Sequence, residues 1–303
     1  IAIRRPMKTP ESGTEVFSVS PSMSGAVQPG FDAPHVVDMA FQRRPAFTQT
    51  THIASRLIGT NNLYTDTTAA EVSQVENVWD FMDGWGGWSV TNTDYRAWNF
   101  KRATGFMDVV AYSGNSVAGR TVAHNLNVAP ELIIVKARND ASASWSVYSE
   151  PLGNTKFLRL NSTNASSTSS SMWNNTSPTA DVFTLGTDGD VNWSGSPNYI
   201  AYLFASLAGV SKVGSYTGTG ATLNVDCGFA AGARFILIKR TDSTGDWYYW
   251  DSVRGIVAGN DPYLLLNSTA AEVTNTDYID PLASGFTVTS NASSTVNVSS
   301  GTY

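Results

Sequence analysis

A few residues in this 303-residue chain have the types and spacing that could do chemistry. Asp188, Asp190 and Asn192 stand two apart, the ligand spacing that opens a calcium-binding EF-hand loop. That loop also needs a glycine for its turn and a bidentate glutamate to close it. Trp193 and Tyr199 stand at those places, so the run reads as a polar turn. Glu150, Asp246 and Asp251 lie beside aromatics, but glycoside cleavage needs two acids held across one cleft, and no spacing here brings a pair together. Serines are plentiful, yet no Gly-x-Ser-x-Gly nucleophile elbow occurs. The one cysteine, Cys227, has no disulfide partner, and His35, His52 and His124 are too scattered to join it in a zinc site. The chain reads as non-enzymatic, with no cofactor and no metal.

Aromatic clusters are the better binding candidates. Trp85 and Trp88 flank Gly86 and Gly87 in a turn-like segment, and Trp247, Tyr248, Tyr249 and Trp250 form an unbroken run. Neighbours on a strand point to opposite faces, so four rings in a row cannot all face one core. Some ring must meet solvent, another module or a ligand such as a sugar, and Trp85, Trp88, Trp247, Tyr248 and Tyr249 are the candidate binding residues. Trp145 and Tyr148 match Trp247 and Trp250 three residues apart, which reads as a shared core or a contact between modules.

The elements that position these residues are strands. Hydrophobic residues make up 42% and charged residues only 15%, so polarity comes from Ser, Thr, Asn and Gly, which suit turns, while the β-branched and aromatic residues suit pleated surfaces. Long stretches with helical spacing are missing. The net charge of -6 is spread without blocks, which excludes a basic stripe for nucleic acid or an anionic membrane. No run of apolar residues is long enough for insertion into a membrane. The first residue is Ile1, and the sequence reads as an internal fragment of a longer polypeptide.

The chain repeats itself. Leu160-Asn161-Ser162-Thr163 recurs as Leu266-Asn267-Ser268-Thr269, which runs on into Ala270-Ala271-Glu272-Val273, a repeat of Ala69-Ala70-Glu71-Val72. Gly84-Trp85 recurs as Gly285-Phe286 at that same separation, with Phe183 in the corresponding place of the middle copy. Each copy opens on a strand (Val16–Val19, Val109–Gly114, Val213–Gly218) and a Gly- or Asn-marked turn before an apolar strand. Those apolar strands are Val36-Val37, interrupted by Asp38, then Leu132–Lys136 and Phe235–Lys239. Copies one and two close on Tyr95–Phe100 and Tyr199–Phe204, while copy three reaches its matching tyrosine at Tyr303. The expected fold is all-β, with three tandem sandwich-like modules of about 100 residues. They cover 13–105 (the divergent copy), 106–209 and 210–303 after a 1–12 connector, and the third lacks its closing strand. Asn161 to Thr176 reads as a long Ser/Asn-rich loop.

With the repeats laid out, the chain resembles a family of tandem β-rich modules of unassigned activity in structural proteins of tailed bacteriophages. The resemblance rests on Tyr216-Thr217-Gly218, the run from Gly228-Phe229 to Lys239-Arg240, Trp250 to Gly255, Asn267 to Glu272, and the aromatic strand Tyr199 to Phe204. It implies a virion component in the tail or on the particle surface. The leading reading is a tail-fibre or adhesin segment that presents loops to a host-surface glycan or protein receptor. The alternatives are a purely architectural piece, such as a head decoration or tail-wall protein, and a glycan-degrading tail spike. The resemblance implies partners among other virion proteins and further copies of the chain as a homotrimer, the surplus aromatics being covered by a neighbouring copy.

Overall fold

Residues Arg96–Phe100 show why the chain folds into layered sheets. Ala97 and Asn99 are buried on one face, and Trp98 and Phe100 on the other, so this strand has protein on both sides. The structure, a computed structural model, describes residues 7–22, 29–87, 93–195 and 197–303; residues 1–6 of the connector and Trp88 lie outside these.

The chain is all-β. The first stretch holds β1 (Phe17–Pro21), β2 (Phe31–Asp32), β3 (Met39–Arg43), β4 (His52–Ser55), β5 (Asn61–Tyr64), β6 (Val72–Ser73), β7 (Gly84–Trp85) and β8 (Arg96–Phe100). Six of these pair as β1-β8-β3-β4-β5-β6, and β2 pairs with β7. Next come β9 (Met107–Ser113), β10 (Arg120–Ala123), β11 (Leu132–Ala137), β12 (Ser146–Ser149), β13 (Lys156–Arg159), β14 (Ser167–Thr168), β15 (Val182–Leu185) and β16 (Asn198–Phe204). They pair in the corresponding order, β9-β16-β11-β12-β13-β14, with β10 against β15. The last stretch has β17 (Leu223–Asp226), β18 (Phe235–Lys239), β19 (Trp247–Asp251), β20 (Leu264–Leu265), β21 (Ile279–Leu282) and β22 (Gly285–Val288), forming the sheets β18-β19-β20 and β17-β22-β21.

Each six-stranded sheet carries its two-stranded sheet on one face, and the three-stranded sheet β18-β19-β20 likewise carries the three-stranded sheet β17-β22-β21. Phe31 and Trp85 pack over Ala40, Ala54 and Ala97, Val122 and Phe183 over Ile133 and Leu203, and Phe286 and Val288 over Ile236 and Ile238. The opposite faces of the two six-stranded sheets and of β18-β19-β20 meet in one shared core. Phe41 and Trp98 come from the first, Ile134, Trp145 and Tyr202 from the second, Trp247 and Tyr249 from the third. Three matching backbone hydrogen bonds close the ring. Glu71 N–H donates to Arg138 O at 2.6 Å, Ser166 N–H to Thr241 O at 2.9 Å, and Glu272 N–H to Pro45 O at 2.8 Å. The third sheet pair is thereby joined back to the first.

Three expectations change. The apolar strand of the first stretch is Met39–Arg43, not Val36-Val37, and Asp38 precedes it, accepting from Arg102 N–H at 2.8 Å and facing Arg56. Asn161 to Thr176 is not a plain loop: it contains β14 and the one-turn helix α1 (Ser170–Trp173). The Ser169 hydroxyl caps this helix by accepting from Ser171 N–H, and burial of Met172 and Trp173 fixes it. Val213–Gly218 forms no strand and makes one bridge, Thr217 to Thr302.

Candidate binding surface

The segment from Asp188 to Tyr199 is a turn built on hydrogen bonds. Asp188 caps the one-turn helix α2 (Gly189–Asn192), its carboxylate accepting from Asp190 N–H at 3.0 Å. Asp190 accepts from Ser144 N–H at 2.9 Å and pairs with Arg159. The buried amide of Asn192 donates to Gly186 O at 2.7 Å and Val117 O at 3.1 Å, and accepts from Asn115 N–H at 2.9 Å. The acids at the EF-hand spacing are thus spent on a cap and an ion pair, and among the described residues no cluster of three ligands is placed for a metal ion.

Trp193 follows directly. Its backbone N–H donates to the Tyr199 hydroxyl at 2.9 Å, and that hydroxyl donates to Gly189 O at 2.6 Å. Burial pushes the Tyr199 phenol up to about 12, so it stays a donor at neutral pH. Gly114 lies against the Trp193 carbonyl with no room for a side chain, since a Cβ there would stand 1.9 Å from that oxygen. The backbone is held from several sides, yet Trp193 as a whole is 49% exposed. It forms the rim of a hollow of about 280 Å³ lined by Asp140, Ser142, Asp188 and Asp190. Hydrogen bonds from the Ser142 hydroxyl and N–H hold the Asp140 carboxyl below the usual range. Beneath it Lys136 donates to Ala137 O at 2.6 Å and Asp140 O at 3.1 Å, and burial pulls its ammonium down to about 8.

The third sheet pair repeats this scaffold without the indole. Asn297 donates to Thr289 O and Ala221 O and accepts from Thr219 N–H; Val298 N–H donates to the Tyr303 hydroxyl at 2.9 Å. Val298 stands where Trp193 stands, so the turn itself does not require a tryptophan.

The rings singled out from sequence fall elsewhere. Trp85 is fully buried, stacked between Phe31 at 5.3 Å and Trp79 at 4.9 Å, with its indole N–H on Asn99. Trp247 and Tyr249 are buried in the shared core, Tyr249 edge-on to Trp98 at 5.3 Å. As binding residues these three are corrected: their faces are covered by the chain. Tyr248 is half-buried against Trp250 and Tyr263, and Trp88 lies outside the described residues. The rings of Trp145, Tyr148 and Trp250 are buried too. Of the three acids weighed for glycoside cleavage, Asp251 pairs with Arg254 and accepts from the Trp98 indole, and Asp246 accepts from Asn267. Glu150 borders a separate groove of about 440 Å³ with Glu131, whose carboxylate is engaged by Ser206. Sequence reading passed over Trp193 as a surface ring. The signal was the match of Asn192 to Asn297, which shows that the residue after it is free to vary.

The sheets and their joints define an all-β chain of linked sheet pairs around one core. Residues 79–303 match the family described as a domain of unknown function (DUF7483), and the chain belongs to that family. No curated protein and no solved structure matches it.

Proposed function

We propose that the chain is a non-enzymatic structural protein of a tailed-bacteriophage virion. In this reading it is a tail-fibre or adhesin segment made of three copies of one module, presenting a binding surface to a host glycan. The observation that carries the reading is Trp193, half exposed on a rigid turn whose match in the third sheet pair is a valine. A flat indole face suits the apolar face of a sugar ring, and the Asp140 and Asp188 carboxylates with the Ser142 hydroxyl beside it suit sugar hydroxyls. The hollow is smaller than the usual drug-sized pocket and fits one saccharide unit. Weak single sites gain from avidity when many copies of a fibre engage one cell.

A panel of bacterial surface glycans tests this. The chain is expected to bind at least one, and Trp193→Val, which copies the third sheet pair, is expected to bind about tenfold or more weakly with an unchanged melting temperature. Equal binding by parent and variant, or no binding across the panel, overturns it. A purely architectural role, in a head decoration or tail wall, is the second reading.

A further inference from the structure

Two peptide bonds in the third sheet pair join an aspartate to a proline, Asp261–Pro262 and Asp280–Pro281. An aspartate carboxyl can reach its own main-chain carbonyl carbon through a five-membered ring, so its attack there is intramolecular. The proline nitrogen carries no N–H and departs as a secondary amine. The two bonds sit in different surroundings. Asp280 lies within β21, half-buried and paired with Thr287. Asp261 lies near the end of the connection from β19 to β20 and is fully buried.

Residues 276–278 hold Asp261 at three points. Its N–H donates to Thr276 O at 2.7 Å, its Oδ1 accepts from Tyr278 N–H at 2.7 Å, and its main-chain carbonyl accepts from the Thr276 hydroxyl at 3.1 Å. A hydroxyl on that carbonyl oxygen draws electron density from the carbon and stabilises the oxyanion that forms when a nucleophile adds. The carboxyl lies beside Trp250, and burial pushes it up to about 7, with the charge of Asp277 acting in the same direction. Below neutral pH it therefore carries a proton that it can pass to a departing nitrogen. Pro262 and Thr276 are half-buried, and Thr274 and Asn275, just before Thr276, are exposed, so the bond lies close to solvent.

We propose that Asp261–Pro262 is a self-cleavage site, with the Asp261 carboxyl as nucleophile and proton donor and the Thr276 hydroxyl as the donor to the scissile carbonyl. A carboxyl oxygen adds to the main-chain carbonyl carbon of Asp261, and the bond from that carbon to the Pro262 nitrogen breaks. The carboxyl proton passes to the nitrogen. The products are a cyclic anhydride on Asp261 and a secondary amine on Pro262, and one water then opens the anhydride to two carboxyls, the side chain and the new chain end. The reaction happens once per chain and turns over no external substrate, so it is independent of the glycan reading and compatible with a structural role. The two pieces stay held together, since β20 pairs with β19 through Tyr248–Leu265 and Tyr249–Leu264, and Glu272 N–H bonds to Pro45 O. The break is therefore visible only after denaturation.

The test is incubation of the whole folded chain at pH 6, followed by denaturation and mass measurement of the fragments. One fragment ending at Asp261 and one beginning at Pro262 are expected. They should form about tenfold or more faster than in the chain kept unfolded in urea at the same pH, and faster by as much than any break at Asp280–Pro281. The rate is expected to fall about tenfold between pH 6 and pH 8 as the carboxyl loses its proton. Asp261→Asn and Pro262→Ala are each expected to abolish cleavage, and Thr276→Val to slow it about tenfold, with thermal melts confirming that each variant is folded. Four results overturn the proposal: no fragments from the folded chain, equal rates folded and unfolded, equal breakage at both Asp–Pro bonds, or unchanged cleavage in the folded Asp261→Asn chain. Equal rates folded and unfolded would leave only the acid lability of an ordinary Asp–Pro bond.

Discussion

Trp247 gives its indole N–H to the backbone carbonyl of Arg159 at 2.9 Å, joining the third sheet pair to the second. Trp145 does the same to Tyr64 at 2.9 Å, joining the second to the first. At the remaining joint the guanidinium of Arg43, which is fully buried, reaches the carbonyls of Leu265 and Ala270, and the Thr65 hydroxyl donates to Leu266 O. Aromatic packing and a directed hydrogen bond are therefore combined at all three joints, since Trp98 donates its indole N–H to Asp251 at 2.9 Å at the third, where the buried cation on carbonyls is added to it.

Trp247→Phe keeps a ring in the shared core and removes the donor, leaving the Arg159 carbonyl unpaired. It is expected to cost about 1–2 kcal/mol in urea unfolding. Trp247→Ala also leaves a cavity and is expected to cost about 3–5 kcal/mol. A phenylalanine variant as stable as the parent would show that packing alone carries this joint.

Glu71 and Arg138 form a bidentate pair at 2.8 and 3.1 Å beside the backbone hydrogen bond between the same residues. Both side chains are about four-fifths covered, at 18% and 19% exposure, so the pair is screened less than a surface bridge. Glu71→Gln is expected to lower stability by roughly 1 kcal/mol at low salt. That loss should shrink only slightly in 0.5 M NaCl; complete loss of the difference would mark the pair as a surface interaction.

Asp261 is buried beside Trp250, accepting from Tyr278 N–H at 2.7 Å, and burial pushes its carboxyl up to about 7. Between pH 4 and 7 the folded chain then holds a proton that the unfolded chain has released, so this residue's contribution to stability falls as pH rises through that window. Asp261→Asn imitates the protonated carboxyl and keeps the acceptor for Tyr278. It is expected to be more stable than the parent at pH 8, by on the order of 1–2 kcal/mol, and equal to it near pH 4. Thermal melts at both pH values check this; an equal difference at both would remove the titration from the account.

Lys136 and Lys239 are both drawn down to about 8 by burial. Above that value the unfolded chain binds more protons than the folded one, so stability is expected to rise from pH 8 toward pH 10. The double variant Lys136→Met, Lys239→Met should lose this rise. If parent and variant follow parallel pH curves, the two ammonium groups are better solvated than their burial implies.

The sequence by itself determined the strand chemistry and the repeats. Short apolar or aromatic runs bounded by Gly, Asn and Ser turns mark β8, β11, β16 and β18, and Asn161 and Asn267 recur because each accepts the backbone N–H of a core tryptophan, Trp145 and Trp247. These are local constraints, set by pleat and turn within one segment. Which ring faces solvent was decided only by tertiary structure. Trp247 and Tyr249 are buried because the two six-stranded sheets and β18-β19-β20 back onto one core, and Trp193 is exposed because its turn is fixed by Asn192 and Tyr199 rather than by its own ring. The closure of the third sheet pair onto the first, through Glu272 and Pro45, joins residues more than two hundred positions apart. No local pattern encodes a contact at that separation, because it is selected by the packing of whole sheets.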